Sequence, residues 1–153
     1  MVFDKDNTLT DHDSSIVRPD LMTPLEKAIS TFGEQNVAVL SNNKSSLINH
    51  RVRLLKGGPL AKPFCAEAVA NALKADQRRV AIVGDRLATD MVLGHLMGGV
   101  SVLVLPWKTD NEQPGLKTAR AIENFVWQKM LESRLAPHDH EVIKKLQVSA
   151  RFP

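Results

Sequence analysis

Tyrosine is absent from the 153-residue chain, and aromatic residues of any kind make up only 5% of it. A nucleic-acid surface, which interleaves basic side chains with stacking rings, therefore has little to draw on. The net charge of +3 is also too small and too scattered to leave that footprint. A single cysteine, Cys65, excludes an internal disulfide and suits a reducing compartment. The longest mostly apolar stretch, Val100 to Leu105, is far short of the roughly 20 residues that cross a bilayer. No signal or transit segment is visible. Only three residues precede Asp4, whereas a central strand usually has about five or six, so the start is expected to be cut or mis-assigned, with any targeting segment lost.

What is present is ordinary globular material: 43% hydrophobic, 24% charged, and long enough for one domain with a real core. Thr23, Pro24 and Glu26 predict a helix N-terminus, with Leu25, Ala28, Ile29 and Phe32 on one face and Gly33 as the stop. Val37 to Leu40 predicts a strand buried on both faces, delivering Ser41-Asn42-Asn43 to its carboxyl end. Val52 to Leu55 predicts a third strand. The span from Lys44 to Arg51 is shorter than a parallel crossover needs, so this strand is expected to be antiparallel or to lack a helix before it. Further elements are a helix over 63–75 with Phe64, Ala68 and Leu73 inward, a strand over 80–83, a helix to about Met97, a strand over 100–105 and a helix over 116–134. That last helix carries Leu116, Ile122, Phe125, Val126 and Trp127, for which packing on the sheet is favoured over membrane contact. Alternating strands and helices predict a three-layer α/β sandwich with a mostly parallel sheet, comprising residues 1–136, followed by a polar tail over 137–153.

In such a sheet ligands sit beyond the carboxyl ends of the strands. Three motifs reach that end. In Val2-Phe3-Asp4-Lys5-Asp6-Asn7-Thr8 two acids one residue apart project together from the end of the first strand, with Lys5 pointing elsewhere. Ser41 ends the second, and Gly84-Asp85-Arg86-Leu87-Ala88-Thr89-Asp90 ends a later one; Lys62 stands at a helix start. Each has a plainer reading alone: Asp4-x-Asp6 as turn chemistry, Asp85 as a helix cap, Asp90 as a partner for a helix dipole, Ser41 as a turn starter, Lys62 as a solvated charge. Paired acids repel and raise a carboxyl pKa unless a cation lies between them.

The order and placement of these four motifs resembles the haloacid-dehalogenase-like phosphatase superfamily, over Val2 to about Leu105. The resemblance implies that Asp4 is the nucleophile and forms an aspartyl-phosphate, that Asp6 is the general acid and base, and that Ser41, Asn42 and Lys62 hold phosphoryl oxygens. It also implies Mg²⁺ held by Asp4, the Asp6 carbonyl and Asp85, with Asp90 supporting the metal. Neither the 11–22 span nor the gap between Ser41 and Lys62 holds a cap domain, so the site should be open. Within the capless branch, Phe-Asp-Lys-Asp-Asn at 3–7, Ser41-Asn42, Lys62-Pro63 and the 84–90 run look like the phosphatidylglycerophosphate phosphatases, with Lys5 and Arg86 the most telling letters. That family implies a phosphorylated lipid headgroup as substrate, peripheral membrane contact, and a place on the matrix side of the mitochondrial inner membrane, in a plastid, or in a bacterial cytoplasm. The alternatives are a soluble sugar or amino-alcohol phosphate as substrate, a non-catalytic phosphoacceptor, or an inactive fragment. Rival sites are weaker. Cys65 lacks the arginine six residues on that a cysteine phosphatase needs, position 71 being Asn. His138, Asp139, His140 and Glu141 lie in the polar tail, and His12, His50 and His95 show no ligand spacing. Met91, Leu96 and Met97 are expected in the core.

Overall fold

The computed structural model describes residues 1–42, 52–56, 60–110, 112–133, 140, 141, 143 and 144. Five parallel strands, β1 (Val2–Asp4), β2 (Ala38–Ser41), β3 (Arg53–Lys56), β4 (Ala81–Gly84) and β5 (Val100–Leu103), form one sheet in the order β3-β2-β1-β4-β5. The chain leaves central β1 toward β2 and β3, then returns to its other side for β4 and β5. Strand order therefore reverses between β1 and β4, where an open α/β sheet leaves a crevice. Side chains alternate across the sheet. Val2, Ala38, Leu40 and Ile82 face one core with α2 (Ala66–Leu73) and α3 (Val92–Leu96), whereas Phe3, Val37 and Val39 face the other with α1 (Pro19–Phe32). Strands covered on both sides must be apolar throughout, which is why 37–40 and 80–83 read as continuous hydrophobic runs.

Several boundaries differ from expectation. Helix α1 starts five residues early, at Pro19, with Arg18 before it and no side-chain cap; Pro24 lies inside the helix. Pro19 itself meets the preference for proline in the first turn, so Thr23 is not needed as a cap. Helix α2 starts at Ala66, because a turn from Ala61 to Phe64 precedes it and turns Phe64 outward. Its buried side chains are Val69, Ala70 and Leu73. Strand β3 is parallel to β2, contrary to the antiparallel option, and pairs Val39 with Leu54. The preceding 44–51 span lies outside the described residues, as do His50, His138 and Asp139 and most of the 137–153 tail. Strand β5 stops at Leu103, and Leu105 is 90% exposed. Met97 is core, but Leu96 is exposed.

The largest departure is the last helix, α4 (Pro114–Glu132). Its buried side chains are Arg120 and Glu123, while Ile122, Phe125 and Val126 face solvent. The expected apolar face is not the packed one. Leu116, Arg120, Glu123 and Trp127 follow one another at spacings of four, three and four, which is the stripe of an α-helix. That stripe carries ion pairs into the sheet edge instead of hydrophobic contact. Among the described residues no helix is long and apolar enough to cross a membrane, and no cap domain is present.

Candidate active site

The turn after β1 is built by the backbone. The Lys5 carbonyl accepts from Leu9 N and Thr10 N, both at 2.9 Å, and Asn7 takes a left-handed φ of 61°, which asparagine tolerates better than most residues. This holds Asp4 at the strand end, 7% exposed, and turns Asp6 toward the same pocket. Lys5 stays off the wall of this pocket, as expected, but it is not detached from the motif. It is fully buried, and its ammonium reaches Asp6 Oδ1 at 3.0 Å.

After β4, residues 87–91 form a single turn of π-helix, an irregularity that often marks functional sites. It carries Asp90 inward until it is fully buried, with Oδ2 accepting from Arg86 N at 3.2 Å. Gly84 is required for this approach, because a Cβ there would lie 2.4 Å from Asp90 Cγ. Asp85 does not cap a helix; its Oδ2 meets Arg120 Nη2 at 2.8 Å.

Asp4, Asp85 and Asp90 thus converge, with one oxygen from each within 4.8 Å of the others. Lys62 enters the same cluster, pairing with Asp4 and, at 2.7 Å, with Asp90. Burial pushes the Asp4 carboxyl up to about 7; Lys62 opposes the rise, while Asp90 and Asp85 add to it. Burial alone would lower the Lys62 ammonium, but Asp4 and Asp90 outweigh it and hold it above its ordinary value. Asp85 is also raised, by burial, against the pull of Arg120. Asp4, Asp85, Asp90 and Glu112, which shares Arg120 with Asp85, are four buried carboxylates against two cations, Lys62 and Arg120, so negative charge is in excess, and carboxylate oxygens at this spacing suit a hard divalent cation.

Asp6 and Ser41 line the pocket but not the acid cluster. Asp6 Oδ1 also accepts from Asp13 N at 3.0 Å, and Ser41 Oγ lies 3.3 Å from Asp6 Oδ2. Asn42 uses its side-chain oxygen to accept from Lys62 N at 2.9 Å, so it places the lysine. The pocket above these groups is about 300 Å³ and is also walled by His12, Arg86 and Arg120.

Sequence reasoning missed the acid–base lattice behind the cluster. Arg120 donates to Glu112 through Nε at 2.9 Å as well as to Asp85, and Glu112 accepts from Asn7 Nδ2 at 2.7 Å. These contacts hold Glu112 below the usual carboxylate range despite burial, and hold Arg120 further above its ordinary value. Arg86 is clamped by Glu123 at 2.7 to 3.1 Å, and Glu123 also accepts from Leu87 N at 3.2 Å. The available signal was Arg120 and Glu123 three apart on the stripe of Leu116 and Trp127.

A family model described as mitochondrial PGP phosphatase matches residues 1–106. The chain is 28% identical over 166 residues to phosphatidylglycerophosphate phosphatase 1, chloroplastic/mitochondrial, of Arabidopsis thaliana, covering 100% of this chain and 47% of that protein. It is 33% identical over 162 residues to phosphatidylglycerophosphate phosphatase 1, chloroplastic, of Chlamydomonas reinhardtii, covering 91% and 59% respectively. A mitochondrial phosphatidylglycerophosphatase of Saccharomyces cerevisiae is 26% identical over 142 residues, covering 82% and 77%. The chain therefore spans about half the length of the plant relative and under two thirds of the algal one. No solved structure matches.

Proposed function

Because the chain belongs to the mitochondrial PGP phosphatase family, we propose that it is a phosphomonoester hydrolase that converts phosphatidylglycerophosphate to phosphatidylglycerol. The observation that carries this reading is the meeting of Asp4, Asp85, Asp90 and Lys62 beside the pocket at the strand-order reversal. Mg²⁺ is the proposed cofactor, held by Asp4, Asp85, Asp90 and the Asp6 carbonyl. The three carboxylates that meet in the cluster are a donor set that fits it. When bound it would neutralise the cluster and the phosphoryl oxygens.

In the proposed reaction an Asp4 oxygen attacks phosphorus and the ester P–O bond breaks, its electron pair leaving with the lipid oxygen. Asp6 gives that oxygen a proton. Water then attacks phosphorus and passes its proton to Asp6, the acyl-phosphate P–O bond breaks, and Asp4 is regenerated with release of inorganic phosphate. Ser41 would donate to phosphoryl oxygens, and Lys62 would neutralise their charge from its position against Asp4. The proposed setting is the matrix side of the mitochondrial inner membrane or a plastid membrane, with peripheral contact.

The test is phosphate release by the purified chain, with and without Mg²⁺, from phosphatidylglycerophosphate in vesicles and from sugar and amino-alcohol phosphates. Mg²⁺-dependent release from the lipid is expected, and Asp6→Asn should abolish it. Preferential hydrolysis of the soluble esters would replace the lipid reading. Phosphate capture without turnover by both wild type and Asp6→Asn would make the chain a phosphoacceptor.

A further inference from the structure

A second pocket, of about 390 Å³, lies on the other side of the 4–10 turn, between α1 and the sheet. It is lined by Phe3, Leu9, Leu21, Leu25, Val104 and Trp107, and its volume is within the range of about 300–1,000 Å³ that holds small organic ligands. Its wall is apolar except at the rim and along the turn. At the rim the Arg18 guanidinium lies 3.4 Å from the centroid of the Trp107 ring, with Asp20 beside it. Along the turn, Thr8 Oγ1 is buried with no hydrogen-bond partner. Asn7 walls both this pocket and the acidic one, so the two chambers are separated by a single turn of chain.

We infer that this pocket receives an acyl chain of the glycerophospholipid whose phosphate reaches Asp4. The inference rests on the proposed lipid substrate and adds a second subsite to it. A lipid phosphomonoester is anionic at one end and apolar at the other, and the two adjoining chambers differ in the same way. At the rim Arg18 is stacked on Trp107 and paired with Asp20 through Nε and Nη2, so the mouth of the apolar chamber is polar where a headgroup would lie. The mostly exposed side chains of Leu105 and Trp107 form the lip over which the chain enters.

The chain has two tryptophans, which allows a direct test. A lysophosphatidylglycerol brominated along its acyl chain, kept below its micelle concentration, is titrated into Trp127→Phe and Trp107→Phe proteins. Bromine quenches indole only near contact. The expected result is saturable loss of most Trp107 emission with little loss from Trp127. Val104→Phe, placed in the Trp127→Phe protein to narrow the pocket, should weaken the titration about tenfold, equivalent to about 1.4 kcal/mol. Equal quenching of both tryptophans would signify contact with lipid over the whole surface and would overturn the inference, as would no quenching. Selective quenching in a protein without phosphatase activity would retain the pocket and remove the proposed reaction. Activity without selective quenching would do the reverse.

Discussion

Arg120→Leu removes the cation between two buried carboxylates. Asp85 and Glu112 have side chains 1% and 0% exposed, and neither can recover its solvation without moving. Breaking a buried pair by deleting one partner typically costs about 3–5 kcal/mol, because the remaining charge is uncompensated. Here two charges are left behind, so the upper part of that range applies. Domains of this size have total stabilities of about 5–15 kcal/mol, so the variant should stay folded with a much lower margin. With a urea m-value of about 2 kcal/mol/M, a loss of about 4–5 kcal/mol moves the unfolding midpoint down by about 2–2.5 M. Glu112→Leu should also be costly, yet the double variant should lose less than the sum of the singles, with a coupling of about 1–3 kcal/mol. Mg²⁺ should restore part of the Arg120→Leu loss, since a cation beside Asp85 replaces the missing charge. Urea titrations of the four proteins with and without Mg²⁺ measure all of this. An Arg120→Leu midpoint within experimental scatter of wild type, or strictly additive losses, would refute the reasoning.

Gly84→Ala should abolish measurable phosphate release and destabilise the fold, since its Cβ would meet Asp90 Cγ at 2.4 Å and drive Asp90 out of the cluster; turnover and thermal melting check this. In EDTA, the buried Asp4 carboxyl is raised from an ordinary 3.8 to about 7. Its protonated form therefore stabilises the fold below about pH 4, and that contribution is lost as pH rises through about 7. The stability of wild type relative to Asp4→Asn should fall by at most about 1.4 kcal/mol per pH unit across that window, and saturating Mg²⁺ should flatten the decline. A flat difference in EDTA would contradict it. Glu123→Gln should lower kcat more than it raises KM, because Arg86 and the 87–91 turn lose their clamp while the pocket wall remains. Steady-state kinetics over a lipid concentration series decides that.

Much of the site was legible because its chemistry is local to strand ends. Asp4 and Asp85 follow apolar runs that read as buried parallel strands, so their arrival at one edge follows from the topology, whereas Asp90 reaches them through the 87–91 turn. Lys62 was legible as a member but not as a partner, since its contact with Asp4 spans 58 positions. Glu112, Arg120 and Glu123 were not legible as site residues. The hydrophobic pattern of 116–134 pointed to a different packed face, and nothing local tells a helix that it will bury ion pairs. For β3 the short span before it left two options open, a non-parallel strand or a missing helix, and the parallel pairing with β2 removes the first.

Hydrophobic periodicity and the residues at strand termini determined the sheet, its two covered faces and the acids at its carboxyl edge, because those depend on spacing along the chain. The tertiary structure alone decided which charges neutralise which, which face of α4 turns inward, and that an apolar chamber adjoins the acidic one. Those outcomes depend on distances between segments far apart in sequence, where the cost of leaving a buried charge unpaired outweighs any preference of the local pattern.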